Sequence, residues 1–231
     1  MMQKILIILL AAWGLAAIPD IVLAAGGGGG GMSMPRTSQP RKELSPDELA
    51  ARSYKRAVKH RQNAAKYEQK AEKQTSDKGR DKQLAKAAKE YQRCRDDLDE
   101  ALKHKPNMVA ALSDVGFVHR KQGDFAGSLV SYDKALELDP QYTPAIEYRG
   151  EAYLQLGRID DAKEAYMVLF RQDRELANQL MDAMQVWIER HRGEPQGTQV
   201  SGLDEFEQWL TERSELAAQT AALTIPVERR W

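Results

Sequence analysis

One cysteine among 231 residues rules out an internal disulfide, so whatever holds this chain together is not covalent stapling. That residue, Cys94, falls on a regular apolar stripe, which marks it as a small buried side chain more than as a reactive thiol. Histidines are scarce as well: His60, His104, His119 and His191 lie far apart, and no pair is spaced for a metal on one helix turn. No phosphate loop or nucleophile motif is present, so neither a metal nor a cofactor is expected. Net charge is also missing, because 34 basic and 34 acidic residues cancel. Aromatic residues do not interleave with the basic ones, and nucleic acid is therefore not an expected partner.

Long apolar runs are almost absent. Lys4 precedes a single run of about 14 residues, Ile5 to Ile18, broken by Pro19-Asp20. As a helix it would reach about 21 Å at 1.5 Å per residue, short of a hydrocarbon core of about 30 Å. The segment resembles a bacterial-type secretory signal peptide, and Val22-Leu23-Ala24 supplies the small residues that signal peptidases prefer. Residues 1–24 are accordingly expected to be removed, leaving no stable membrane span and a periplasmic or secreted product. No cysteine near that junction is available for lipid modification. Gly26 to Gly31 and the Ser- and Pro-rich stretch beyond cannot bury enough surface to order themselves, so 25–44 reads as a flexible leader.

What the sequence does have is a repeat. Gly116, Gly123, Tyr132 and Pro140 recur 34 residues later as Gly150, Gly157, Tyr166 and, less well, Arg174. Each copy divides into two helices. The first helices carry inward stripes Leu112, Val115, Gly116, His119 and Ile146, Arg149, Gly150, Tyr153, spaced by three and four. Gly123 and Gly157 close them, where a left-handed cap suits a residue without a side chain. The second helices start near Phe125 and Ile159, and Asp139-Pro140 ends the first of them.

These residues resemble the tetratricopeptide repeat family. The resemblance covers about 68 residues and is good at Gly116, Phe125, Tyr132, Ala135 and Pro140 and at Gly150, Tyr153, Ala162 and Tyr166. It departs at His119, Arg149 and Arg174; without a proline at 174 the second copy is expected to run on into another helix. The implied fold is all-α, a solenoid of stacked antiparallel helical hairpins. Leu98, Ala101, Leu102 and Pro106 fit the same offset, so a longer, degenerate hairpin precedes the repeats. Ser45-Pro46-Asp47-Glu48 opens it as a capping box. Beyond the repeats, Leu176, Leu180, Met184, Trp187 and Ile188 mark one helix. Phe206, Trp209, Leu210, Leu216 and Ala217 mark a last one, capped by Ser201 with Asp204. The organisation is therefore a long hairpin over 45–106, repeats over 107–140 and 141–174, capping helices over 175–223 and a tail over 224–231.

The zero net charge hides a split, with about 20 basic and 12 acidic residues from Arg36 to Pro106 but about 13 and 21 from Asn107 onward. Arg52, Lys55, Arg56 and Lys59 would form a basic strip on the first long helix, either a solvated face or a surface for an anionic lipid of the envelope, an acidic protein or the acidic half of another copy. The more specific site lies about 120° around each repeat's first helix. There Ser113, Phe117, Arg120, Lys121, Glu147, Glu151, Leu154 and Gln155 would point into the concave side, where similar repeat proteins hold extended peptides. An exposed Phe117 beside Arg120 and Lys121 would suit an apolar side chain next to a carboxylate, and Glu147 with Glu151 a basic residue. Relatives that clamp a chain-terminal carboxylate use Asn and Lys where Ser113 and Phe117 stand here, so that specificity does not transfer.

The function implied is a non-catalytic, exported interaction module that binds a protein or peptide in the cell envelope. Two alternatives stay open. One is a catalytic or metal-handling accessory using Glu147, Glu151, His119 or Cys94. The other is a self-assembling structural subunit driven by the charge split.

Overall fold

The computed structural model describes residues 43–193 and 202–224, with side chains to 220. The expected signal peptide, most of the expected leader, the expected cap at Ser201 and the tail beyond 224 lie outside them. Eight α-helices and no strand occur among the described residues: α1 (Pro46–Glu72), α2 (Asp77–His104), α3 (Val109–Lys121), α4 (Phe125–Leu138), α5 (Thr143–Gln155), α6 (Ile159–Gln172), α7 (Arg174–Arg192) and α8 (Leu203–Thr224). Consecutive helices pair as antiparallel hairpins, and α5 also touches α3 and α7, so the hairpins stack into an all-α solenoid.

The first hairpin is long because its start is firm and its seam is regular. Ser45 Oγ accepts from the Glu48 N–H at 3.2 Å while Glu48 Oε2 accepts from the Ser45 N–H at 2.7 Å, a complete capping box with Pro46 at the first helical position. Ala50, Ala57, Ala64 and Ala71 then recur every seven residues, all buried, so α1 lies closely on α2. Tyr91, Cys94 and Leu98 of α2 complete that core together with Ala111, Val115 and Val118 of α3. A second apolar cluster runs on from Leu129 and Tyr132 through Leu180, Met184 and Trp187 to Phe206 and Leu210.

Glycines set two close approaches. A Cβ on Gly116 would lie 2.5 Å from Tyr132 Cε1, and one on Gly150 would lie 2.7 Å from Leu180 Cδ2. The first lets α4 settle on α3, the second lets α7 settle on α5. Gly123 and Gly157, at φ +82° and +69°, end α3 and α5 in the left-handed region.

The passage from α6 to α7 takes one residue. Asp173 ends α6 and caps α7, its Oδ1 accepting from the Leu176 N–H at 3.1 Å. α8 seals the end with Phe206 and Leu210. Leu216, expected on its buried stripe, is instead exposed, because at about 100° per residue it lies about 120° around α8 from buried Leu210 and so falls off the covered face.

Candidate functional site: the concave face

The face lined by α1, α3 and α5 is built on two matching spacings. Arg61 and Glu68 stand seven residues apart on α1, and Asp114 and Lys121 stand seven apart on α3, so each pair occupies one side of its helix. Arg61 Nη1 meets Asp114 Oδ1 at 2.5 Å, and Lys121 Nζ meets Glu68 Oε2 at 2.9 Å. Between these rungs lies Phe117. Its ring centroid is 5.4 Å from the Arg61 guanidinium and 5.4 Å from that of Arg120, and 6.0 Å from Lys121 Nζ. Tyr148 and Tyr91 flank the same ring at 5.2 and 6.1 Å.

One turn of α5 closes the deep side. Arg120 forms an ion pair with Glu151, and its guanidinium also lies 5.6 Å from the Tyr148 ring. Glu147, one turn earlier, is 1% exposed, and neither of its oxygens has a hydrogen-bond partner. Burial pushes its carboxyl up to about 7, against the pull of Arg120. Burial likewise raises Asp114 in spite of Arg61 and lowers Lys121 in spite of Glu68.

The structure thus brings the sequence-derived residues together but corrects their state. Ser113 of α3 and Glu147, Glu151 and Leu154 of α5 are buried, not open, because α5 packs against α3 and α7 as well as against its hairpin partner. Phe117 is partly buried against the first core cluster, not standing free. Arg120 and Lys121 are already engaged by Glu151 and Glu68, and their side chains retain only 8% and 12% exposure. Gln155 is partly exposed at the end of α5. Sequence reasoning missed Arg61, Glu68, Asp114 and Tyr148. The signal was the shared seven-residue spacing of opposite charges, 61 with 68 against 114 with 121.

The strip on α1 divides. Arg52, Lys55 and Lys59 are exposed, whereas Arg56, though exposed, binds Asp97 at 2.8 Å. His60 meets Glu90 at 2.7 Å beside it. His119 bridges Arg95 at 2.6 Å and Asp124 at 2.7 Å, tying α2, α3 and the start of α4. Cys94 is buried, and burial, helped by Asp114, pushes its thiol up to about 12. Two open depressions, one around Arg158 and Lys163, the other between Leu136, Ile146, Tyr153 and Val168, share no residue with the concave set.

Residues 119–183 match the tetratricopeptide repeat family. The matched segment runs from the end of α3 through α6 into α7, the heart of the stack. Curated relatives are distant. Protein O-mannosyl-transferase TMTC2 of Homo sapiens is 30% identical over 92 residues, which is 37% of this chain and 11% of that protein. Its Xenopus laevis counterpart is 30% identical over 87 residues, 35% of this chain and 10% of that protein. The probable UDP-N-acetylglucosamine–peptide N-acetylglucosaminyltransferase SPINDLY of Solanum lycopersicum is 42% identical over 48 residues, 21% of this chain and 5% of that protein. The chain therefore spans about a tenth or less of the relatives it matches. Among solved structures, the first tetratricopeptide repeat domain of Spaghetti (RPAP3), bound to an HSP90 peptide, is 18% identical at a TM-score of 0.40, covering 58% of this chain and 94% of that one.

Proposed function

We propose that this protein is a non-catalytic interaction module whose concave face, centred on Phe117, holds a segment of a protein partner. One observation carries the reading: a partly exposed aromatic ring sits among three cations and two tyrosines on the inner side of a helical-repeat stack. Such a surface offers an apolar anchor with charge at its rim, the combination that dominates protein recognition. Support for the non-catalytic part comes from the four groups that the catalytic alternative would use. Glu151 holds Arg120, Glu147 is enclosed, His119 bridges Arg95 and Asp124, and the Cys94 thiol is buried. The glycosyltransferase activities named for the relatives belong to proteins of which this chain spans about a tenth or less.

The setting we infer is the cell envelope, reached by export. Its support is the sequence alone: Lys4, the apolar run to Ile18 and the small residues at Val22-Leu23-Ala24. N-terminal sequencing of the protein recovered from its own cells is expected to begin at Ala25 or Gly26, and recovery of an intact Met1 would remove the export step.

The binding reading is tested by placing a photo-crosslinking amino acid at Gln155, at the end of the concave face, or at Val130, which is 56% exposed on α4. Crosslinked partner bands from position 155 and none from 130 are expected. The reverse pattern would move binding off this face.

A further inference from the structure

The two ends of the stack carry opposite charge on their outward faces. Between Leu49 and Lys70 seven basic residues face one acidic residue, Glu68, which Lys121 already occupies. Arg52, Lys55, Lys59 and Lys66 recur at three- and four-residue steps or their sum, all exposed, on the side of α1 opposite its alanine seam. The basic face continues onto α2. Lys70 of α1 and Lys86 of α2 reach the same Tyr67 ring, at 5.4 and 5.5 Å, which places both helices' lysines on one surface. None of Arg52, Lys55, Lys59 and Lys66 forms an ion pair with a described residue. At the other end, residues 204–215 hold five acidic residues and one basic residue, Arg213. Glu207 of these is held by Arg192. Asp204, Glu205, Glu212 and Glu215 are exposed, on the side of α8 away from buried Phe206 and Leu210.

From this we infer that the basic outer face of the α1–α2 hairpin docks on the acidic outer face of α8 in a second copy of this chain, joining stacks head to tail. This is a surface separate from the concave face and does not depend on its role. Each of the two faces is the outward side of a terminal helix of the described stack, so joining them continues the solenoid axis. The zero net charge of the chain means that the molecules do not repel one another at long range. Because the two faces differ, the contact is heterologous and adds copies without closing, giving short chains whose length grows with concentration. Lysines outnumber arginines on the basic face, so the attraction is of hydrated point charges and is strongly screened by salt.

The test is sedimentation velocity of the full chain at about 0.01 M and about 1 M salt, where the screening length falls from about 30 to about 3 Å. Species larger than the monomer are expected at low salt and their loss at high salt. Two charge-reversed variants then assign the faces: Lys55→Glu/Lys59→Glu/Lys66→Glu, and Glu205→Lys/Glu212→Lys/Glu215→Lys. Each alone has like charges at both ends and is expected to stay monomeric. An equimolar mixture restores complementarity and is expected to reassociate, with association at least about tenfold stronger than for either variant alone. All six side chains are partly or fully exposed, and circular dichroism of each variant checks that helicity is kept; a variant that loses it is replaced by its single reversal, Lys59→Glu or Glu215→Lys. A wild-type protein that is monomeric at both salts, association unmoved by reversal, or a mixture that stays monomeric would each overturn the inference. So would a monomer that instead sediments with vesicles containing phosphatidylglycerol and not with neutral ones, since the basic face would then have a lipid occupant.

Discussion

Arg61 of α1 reaches across to Asp114 of α3 at 2.5 Å, linking the long first hairpin directly to the first repeat. The carboxylate is nearly enclosed and the guanidinium is about a quarter exposed, so the pair is expensive to break and cheap to replace. Asp114→Ala leaves a cation without its partner and is expected to lower unfolding stability by about 3 kcal/mol. Arg61→Met with Asp114→Leu, which removes both charges, should lie within about 1 kcal/mol of wild type in a urea titration. Equal losses in the single and double variants would show that the helices, not the charges, hold this junction.

Glu147 makes stability fall as pH rises. Its carboxyl titrates near 4.5 when unfolded and is pushed up to about 7 when folded, by burial first and against Arg120. Between those values the folded protein holds a proton that the unfolded chain has released, so folding weakens with pH across that window and the loss is complete above about 7. The loss reaches about 3 kcal/mol at about 1.4 kcal/mol per pH unit. Glu147→Gln removes this term, so the difference between variant and wild type should open between pH 4.5 and 7 and stay flat above. Arg120, Tyr132 and Tyr148, which couple to Glu147, remain in both proteins, so their own titrations are common to the two curves. A gap that does not change with pH would show that Glu147 is ionised throughout.

Gly116 holds the seat of the Tyr132 ring. With Cβ at 2.5 Å from Cε1, Gly116→Ala forces α3 and α4 apart and should cost about 1–3 kcal/mol, although alanine favours the helix itself. Adding Tyr132→Leu is expected to recover part of that cost. A Gly116→Ala protein as stable as wild type in thermal melts would mean that the ring has room to move.

Cys94 should be silent toward thiol reagents. It is buried, and burial pushes its thiol up to about 12, so almost no thiolate is present at neutral pH. Reaction with an aromatic disulfide reagent is expected only at the rate of unfolding, and to rise with urea. Prompt stoichiometric reaction in buffer would reopen a chemical role for this residue.

The helices were legible in the sequence because their signals are local. Ser45 with Glu48 marks a start, Gly123 and Gly157 mark stops, and the apolar steps of three and four lie within one helix. The exposure of the concave residues was not legible. Whether Glu147 meets water or Arg120 of α3 depends on how neighbouring hairpins nest, and no single-helix pattern carries that. Nor does an apolar residue near a stripe have to lie on its covered side, which is why Leu216 looks buried on paper and is open in the fold. The Arg61–Asp114 and Glu68–Lys121 rungs were readable in principle, as equal spacings of opposite charge more than 50 residues apart. Reading them requires knowing beforehand that α1 and α3 run alongside each other.

The most direct test of the account is the affinity of a partner recovered by crosslinking, measured by calorimetry against Phe117→Ala, Gln155→Arg and Val130→Ala proteins of matched helicity. Phe117→Ala should weaken binding by about 2 kcal/mol or more, as loss of a central aromatic anchor does, with Gln155→Arg weaker than wild type and Val130→Ala unchanged. Unchanged affinity in the first two, with loss in the third, would contradict the claim that the inner face of this stack is where the protein acts.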